Sequence, residues 1–170
     1  MSLNTLNDLF VNEINELHAA ELHSAEIIRE IARSATSPLL AEHLSHAATI
    51  HDQHLQRMRD VFAKLGLTPR PTQRAETEGM RGLCEDCMRL ITASRCEPHV
   101  RDAAIVGVVQ HLLHDQLAGY GCARTWSGLL GHEKVPSLLQ ANLREERELD
   151  VELTHLADNL NRSAMAHVLP

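Results

Sequence analysis

Leu139-Gln140-Ala141-Asn142-Leu143-Arg144-Glu145-Glu146-Arg147-Glu148-Leu149-Asp150-Val151-Glu152-Leu153-Thr154-His155-Leu156-Ala157-Asp158-Asn159-Leu160 decides the fold. At 3.6 residues per turn, Leu139, Leu143, Leu149, Leu153, Leu156 and Leu160 fall along one side of a helix, with mostly charged and polar residues on the rest of its circumference. The spacing predicts a helix over 137–161 that must bury its leucine stripe against other helices.

Outward from that segment, prolines and glycines mark similar units. Helical spacing predicts a first helix over 3–33, with Thr5 as its cap and Asp8 as capping-box partner, and a stripe of Leu6, Phe10, Ile14, Leu17, Ile28 and Ile31. A second is predicted over 37–65, opened by Ser37-Pro38 and closed by Gly66, with Leu40, Leu44, Ala47, Leu55, Met58, Phe62 and Leu65 inward. A loop follows over 66–75, a short helix over 76–94, and a third long helix over 98–130, where Gly107 and Gly121 suggest close packing. Tight connections make the first two and the last two long helices antiparallel hairpins, and more than thirty residues separate the pairs. Two hairpins joined by one long crossover are the ferritin-like arrangement of an all-α four-helix bundle. The expectation is one such domain over 1–170.

Composition agrees. The 170 residues are 44% apolar and 23% charged, as in a folded chain, and only Phe10, Phe62, Tyr120 and Trp126 are aromatic, which disfavours an all-β fold. Sixteen basic against 23 acidic residues give a net charge of −7, which disfavours nucleic acid as a partner. No long apolar run suggests a membrane span and no signal peptide is visible, so a cytoplasmic protein without membrane contact is expected.

Twelve histidines stand out. Rotating each predicted helix by about 100° per residue places Glu21 on the first stripe, His51 on the second with His54 about 60° to one side, and His114 on the third beside Gly107, Leu117 and Gly121. Glu146 falls between Leu143 and Leu149, with Asp150 one turn later. Buried unpaired charge is costly, so polar groups on four inward faces point to a shared transition-metal site of iron, manganese or zinc. Each residue alone also fits a blander role, a carboxylate at the rim or a hydrogen-bonded core imidazole. The other histidines read mostly as surface residues. Cys84-Glu85-Asp86-Cys87 with Cys96 and His99 looks like a zinc motif as text. On one helix, however, Cys96 would lie about 13–18 Å from the pair, so structural thiols or a redox pair are the better readings.

Several collinear segments resemble the bacterial YciE/YciF stress-protein family over about residues 5–158. Thr5-Leu6-Asn7-Asp8-Leu9-Phe10 is similar to its T-[IL]-x-D-[VL]-F, and His18-Ala19-Ala20-Glu21 to Y-x-A-E with His for Tyr. Glu78-Gly79-Met80 with Gly82-Leu83 resembles its crossover helix, and Val100-Arg101-Asp102-Ala103-Ala104 is similar to V-R-D-A-A. Leu117-Ala118-Gly119-Tyr120-Gly121 resembles I-A-x-Y-G, and the segment from Leu143 to Leu153 resembles L-x-E-E-x-x-x-D-x-x-L. The resemblance implies a homodimeric ferritin-like bundle linked to stress, with a dinuclear metal centre. It matches Glu21, Glu146 and Asp150 to acidic ligands, His54 to a ligand position of the second helix, and His114 to the histidine of V-E-H-Y-E. Leu113 and Gln116 stand where that motif has glutamates, and Ile50-His51 where the family has E-T. Fewer anionic ligands and more imidazole fit a softer single ion, such as zinc, or none. The alternatives are a metal-free dimeric scaffold with a degenerate site, and a thiol or pH sensor. No catalytic residue is assigned.

Overall fold

The computed structural model describes residues 3–71, 78–92 and 96–166. Five helices form among them: α1 (Leu6–Ser34), α2 (Pro38–Leu65), α3 (Glu78–Ile91), α4 (Pro98–Leu129) and α5 (Val135–Ala166). Among the described residues there is no strand.

The helix ends follow the local chemistry. Thr5 and Asp8 form the expected capping box, each side chain accepting from the other's backbone N–H at 3.0 Å. Ser37 caps α2 ahead of Pro38, and Gly66 ends it at φ 66°, a left-handed turn that favours glycine. Glu97 caps α4 by accepting from the Val100 N–H at 3.0 Å, with Pro98 in the first turn. Three boundaries differ from expectation: α1 begins at Leu6, just after its Thr5 cap, rather than at residue 3, and both ends of α5 move. The helix α5 begins earlier, because Pro136 sits in a first turn where no N–H is needed, and it runs on to Ala166 with no Pro or Gly to stop it. The short helix was expected over 76–94, but residues 76, 77, 93 and 94 lie outside the described residues.

The long helices form a ring in which α1 packs on α2 and α4, and α5 on α2 and α4, while α3 lies against α1 and α4. Asp102, one turn into α4, is buried and accepts from the N–H and hydroxyl of Thr36 (2.8 and 2.6 Å) and from the Ser37 N–H (2.8 Å). It ties the start of α4 to the start of α2, so these helices run parallel and the crossover returns along the bundle. At the other end, the Asn15 carboxamide accepts from the Arg70 N–H at 2.7 Å, fastening the start of the crossover to α1.

The core divides into two apolar regions. One holds Phe10, Ile14, Leu17, Met58, Val61, Phe62, Ala123, Val135, Leu139 and Leu143. The other holds Ile28, Ile31, Leu40, Leu44, Ile105, Val109, Leu112, Leu113, Leu149, Leu153 and Leu156, with Met80, Cys87 and Ile91 of α3 laid against it. Each fully buried large side chain adds about 1.5–3 kcal/mol of transfer free energy. Between these regions runs a polar layer.

Candidate metal centre

Glu21 of α1, His51 and His54 of α2, and Glu146 of α5 meet in that layer, each fully buried. One potential ligand atom from each lies within 4.8 Å of all the others. The His51 Nδ1 is 2.7 Å from Glu21 Oε2 and 3.5 Å from Glu146 Oε1. The His54 Nδ1 is 3.2 Å from both Glu21 Oε1 and Glu146 Oε1. The i,i+3 spacing sets both imidazoles on one face of α2, and the rings meet edge to face with centroids 5.6 Å apart.

Burial and opposite charge compete inside this layer. Burial opposes a charged imidazole at His54, but Glu21 and Glu146 outweigh it and push the ring up to about 10. His51 is raised in the same way, with burial overcome by Glu146 and Glu21. Burial would raise Glu21, yet the two imidazoles hold it down at about 2. For Glu146 burial prevails and its carboxyl is raised. Within this layer, two buried side-chain atoms have no hydrogen-bond partner, His51 Nε2 and Glu146 Oε2. Orphans of this kind are rare in a folded core. Two imidazoles and two carboxylates, one ligand atom of each within 4.8 Å of the others, are a donor set that fits one divalent transition ion.

The structure does not bring His114 and Asp150 to this cluster. The His114 side chain is 64% exposed and pairs with Asp150 on the surface, Nε2 to Oδ1 at 3.2 Å, where Gln110 also donates to Asp150 at 3.1 Å. The inward face of α4 is Ile105, Val109, Leu112, Gln116, Tyr120, Ala123 and Ser127. Apolar residues surround much of α4 because it packs on α1, α3 and α5, so rotation chose the wrong face.

That true face carries residues the sequence reading passed over. The Tyr120 hydroxyl donates to Glu21 Oε1 and accepts from the Asn142 amide at 2.8 Å. Burial, then Glu21, keeps the phenol protonated, far above its ordinary range. With its amide nitrogen facing the carboxylates, Gln116 donates to Glu146 Oε1 at 2.7 Å and to Glu21 Oε1 at 3.2 Å, while its carbonyl accepts from Ser24. At the rim, Glu145 accepts from His54 Nε2 at 3.1 Å and receives both guanidinium nitrogens of Arg57, at 2.6 and 2.9 Å. Tyr120 and Gln116 are one turn apart on α4, a signal hidden when the helix is turned to put His114 inward.

The cysteines are separate. Cys84 and Cys87 lie on the unbroken α3. Burial, then Cys84 and Asp86, pushes the Cys87 thiol up to about 12, which makes it a poor nucleophile. Among the described residues, the four-residue cluster of Glu21, His51, His54 and Glu146 is the one group arranged to hold an ion.

A family profile described as "Domain of unknown function (DUF892)" matches residues 5–166. The chain belongs to the DUF892 family. It is 28% identical to Protein YciF of Escherichia coli strain K12 over 166 residues, covering 96% of this chain and 98% of that one. The crystal structure of the E. coli stress protein YciF superposes with a TM-score of 0.88 at 25% identity, covering 94% of this chain and 99% of that one. YcfI of Rhodopseudomonas palustris matches with a TM-score of 0.83 at 26% identity, over 90% and 95% of the two chains. These likenesses agree with the resemblance read from the motifs, and with the all-α bundle. Within this DUF892 chain, the segment Val100–Ala104 gains a physical role through Asp102, which clamps the α1–α2 turn.

Proposed function

We propose that this YciF-like bundle binds a single divalent transition ion through Glu21, His51, His54 and Glu146. The carrying observation is the convergence of these four buried groups with two partnerless atoms among them. In ferritin-like carboxylate bundles, two helices each give a Glu and the other two each give a Glu-x-x-His pair. On that template this chain has Glu21, His51-x-x-His54, Gln116 and Glu146-x-x-Leu149. Gln116 and Leu149 remove donors for a second ion, which favours one ion of the zinc or ferrous type over a pair of hard ions. A bound ion there would supply Lewis acidity, and Tyr120 and Gln116 would hold the Glu21 and Glu146 carboxylates toward it. In this reading the protein acts as a homodimer in the cytoplasm, in stress physiology like that of YciF.

A metal-free scaffold is the second reading, favoured by the charge balance between the two imidazoles and two carboxylates. Metal analysis of protein purified without chelator, followed by titration of stripped protein with zinc, ferrous or manganese ions, separates the two. The expected result is about one ion per chain, with zinc or ferrous ion bound above manganese. Stripped protein that takes up none of the three refutes the metal reading.

A further inference from the structure

Only one of the two core imidazoles is held from behind. The His54 Nε2 faces the Glu145 carboxylate, which Arg57 grips with both terminal nitrogens. Arg57 also donates to the Asn142 carboxamide oxygen at 2.7 Å, and the Asn142 amide donates to the Tyr120 hydroxyl. Tyr120 in turn donates to Glu21, which lies against His54 Nδ1. The contacts close a ring through α1, α2, α4 and α5. By contrast, His51 Nε2 has no partner.

We propose that Glu145, fixed by Arg57 and Asn142, is the positioning residue that makes Nδ1 the ligating nitrogen of His54 and sets how tightly the centre holds its ion. The His54 Nδ1 faces Glu21 and Glu146, the two carboxylates that would share the ion, and Nε2 faces Glu145, which Arg57 occupies. With an ion bound, a neutral His54 would donate its Nε2 proton to Glu145 and give its Nδ1 lone pair to the ion. Such outer partners orient ligating imidazoles and raise their basicity, and their loss costs about 10–100-fold in metal affinity. His51 lacks that restraint, so the two ligands of α2 differ in kind.

This inference rests on the proposed metal reading. The test compares wild type, Glu145→Ala and Glu145→Gln for zinc affinity by competition with a chelator. Ring ¹⁵N shifts of His54 in the zinc-loaded proteins report which nitrogen is bound, a readout that loss of stability alone would not move. Thermal unfolding of the stripped proteins confirms that each variant is folded. The expected result is zinc on Nδ1 in wild type, affinity lower by about 10–100-fold in Glu145→Ala, and partial recovery in Glu145→Gln, whose carbonyl still accepts from Nε2. Zinc on Nε2 of wild type, or affinity within about twofold in Glu145→Ala, overturns the positioning role and leaves the metal reading standing. No zinc uptake by wild type overturns both.

Discussion

Replacing Glu21 by Gln keeps the shape of the side chain and its bond from Tyr120, but removes the carboxylate charge that faces both His51 and His54. Deleting one partner of a buried ion pair costs about 3–5 kcal/mol. The lower end applies here, about 3 kcal/mol, because Glu146 still lies 3.2 Å from His54 and 3.5 Å from His51. The assay is urea unfolding of metal-stripped protein near about pH 6, where Glu21 is ionised and His54 protonated. The pH profile tests the cause. Glu21 falls from 4.5 to about 2 on folding, so its contribution is present above 4.5 and lost as pH falls toward 2. His54 rises from 6.5 to about 10, so its contribution is full below 6.5 and lost as pH rises through 10. The raised His51 loses its contribution in the same direction, as pH climbs above 6.5. Glu146 is raised from 4.5, so its contribution belongs to pH below 4.5 and disappears above. Wild type should therefore lose stability between 6.5 and 10, and Glu21→Gln should lose less over that interval. A variant within about 1 kcal/mol of wild type at this pH, or a wild-type profile flat over that interval, refutes the charge reasoning.

Asp102→Ala strands the Thr36 and Ser37 backbone N–H groups at the α1–α2 turn, and should cost about 2–4 kcal/mol in denaturant unfolding. Adding donors back with Gln116→Glu and Leu149→His should raise ion stoichiometry from about one to about two per chain, read by metal analysis after loading. His114→Ala and Asp150→Ala touch a surface pair, and should leave zinc affinity unchanged and stability within about 0.5–1 kcal/mol. In the folded protein an alkylating reagent should modify the exposed Cys122 quickly, and reach the buried Cys87 only on unfolding, as peptide mapping would show.

Much of the fold is legible because its signals are local. The Thr5–Asp8 box, the Ser37-Pro38 start and the Gly66 stop are each set by backbone groups that need a partner within a few residues. The leucine stripe of α5 keeps to one side of the helix and faces the bundle interior along its length, so its period is clean and Glu146 is placed correctly on it. The helix α4 packs on three neighbours, its apolar residues wrap the cylinder, and a rotation argument has nothing to lock onto. His114 was chosen there for its ligand chemistry, whereas Gln116 and Tyr120, a neutral amide and a phenol, carry no such flag. Glu145 was hidden for another reason: its role exists only through Arg57 and His54 of a different helix.

The choice of residues in the polar layer decides what the bundle can tolerate when empty. Four inward carboxylates, as in a dinuclear template, repel one another and need cations to remain buried and ionised. Here a histidine stands at position 51 and an amide at 116, so two carboxylates remain against two imidazoles. Protons on those imidazoles can neutralise the layer without an ion, which is how His54 comes to hold its proton up to about 10. Any divalent ion must then displace protons to reach the ring nitrogens, and its apparent affinity rises with pH until His51 and His54 are neutral. The substitutions that weaken a claim to a two-ion centre thus convert the same interior into one where an ion and protons compete for a single set of ligands.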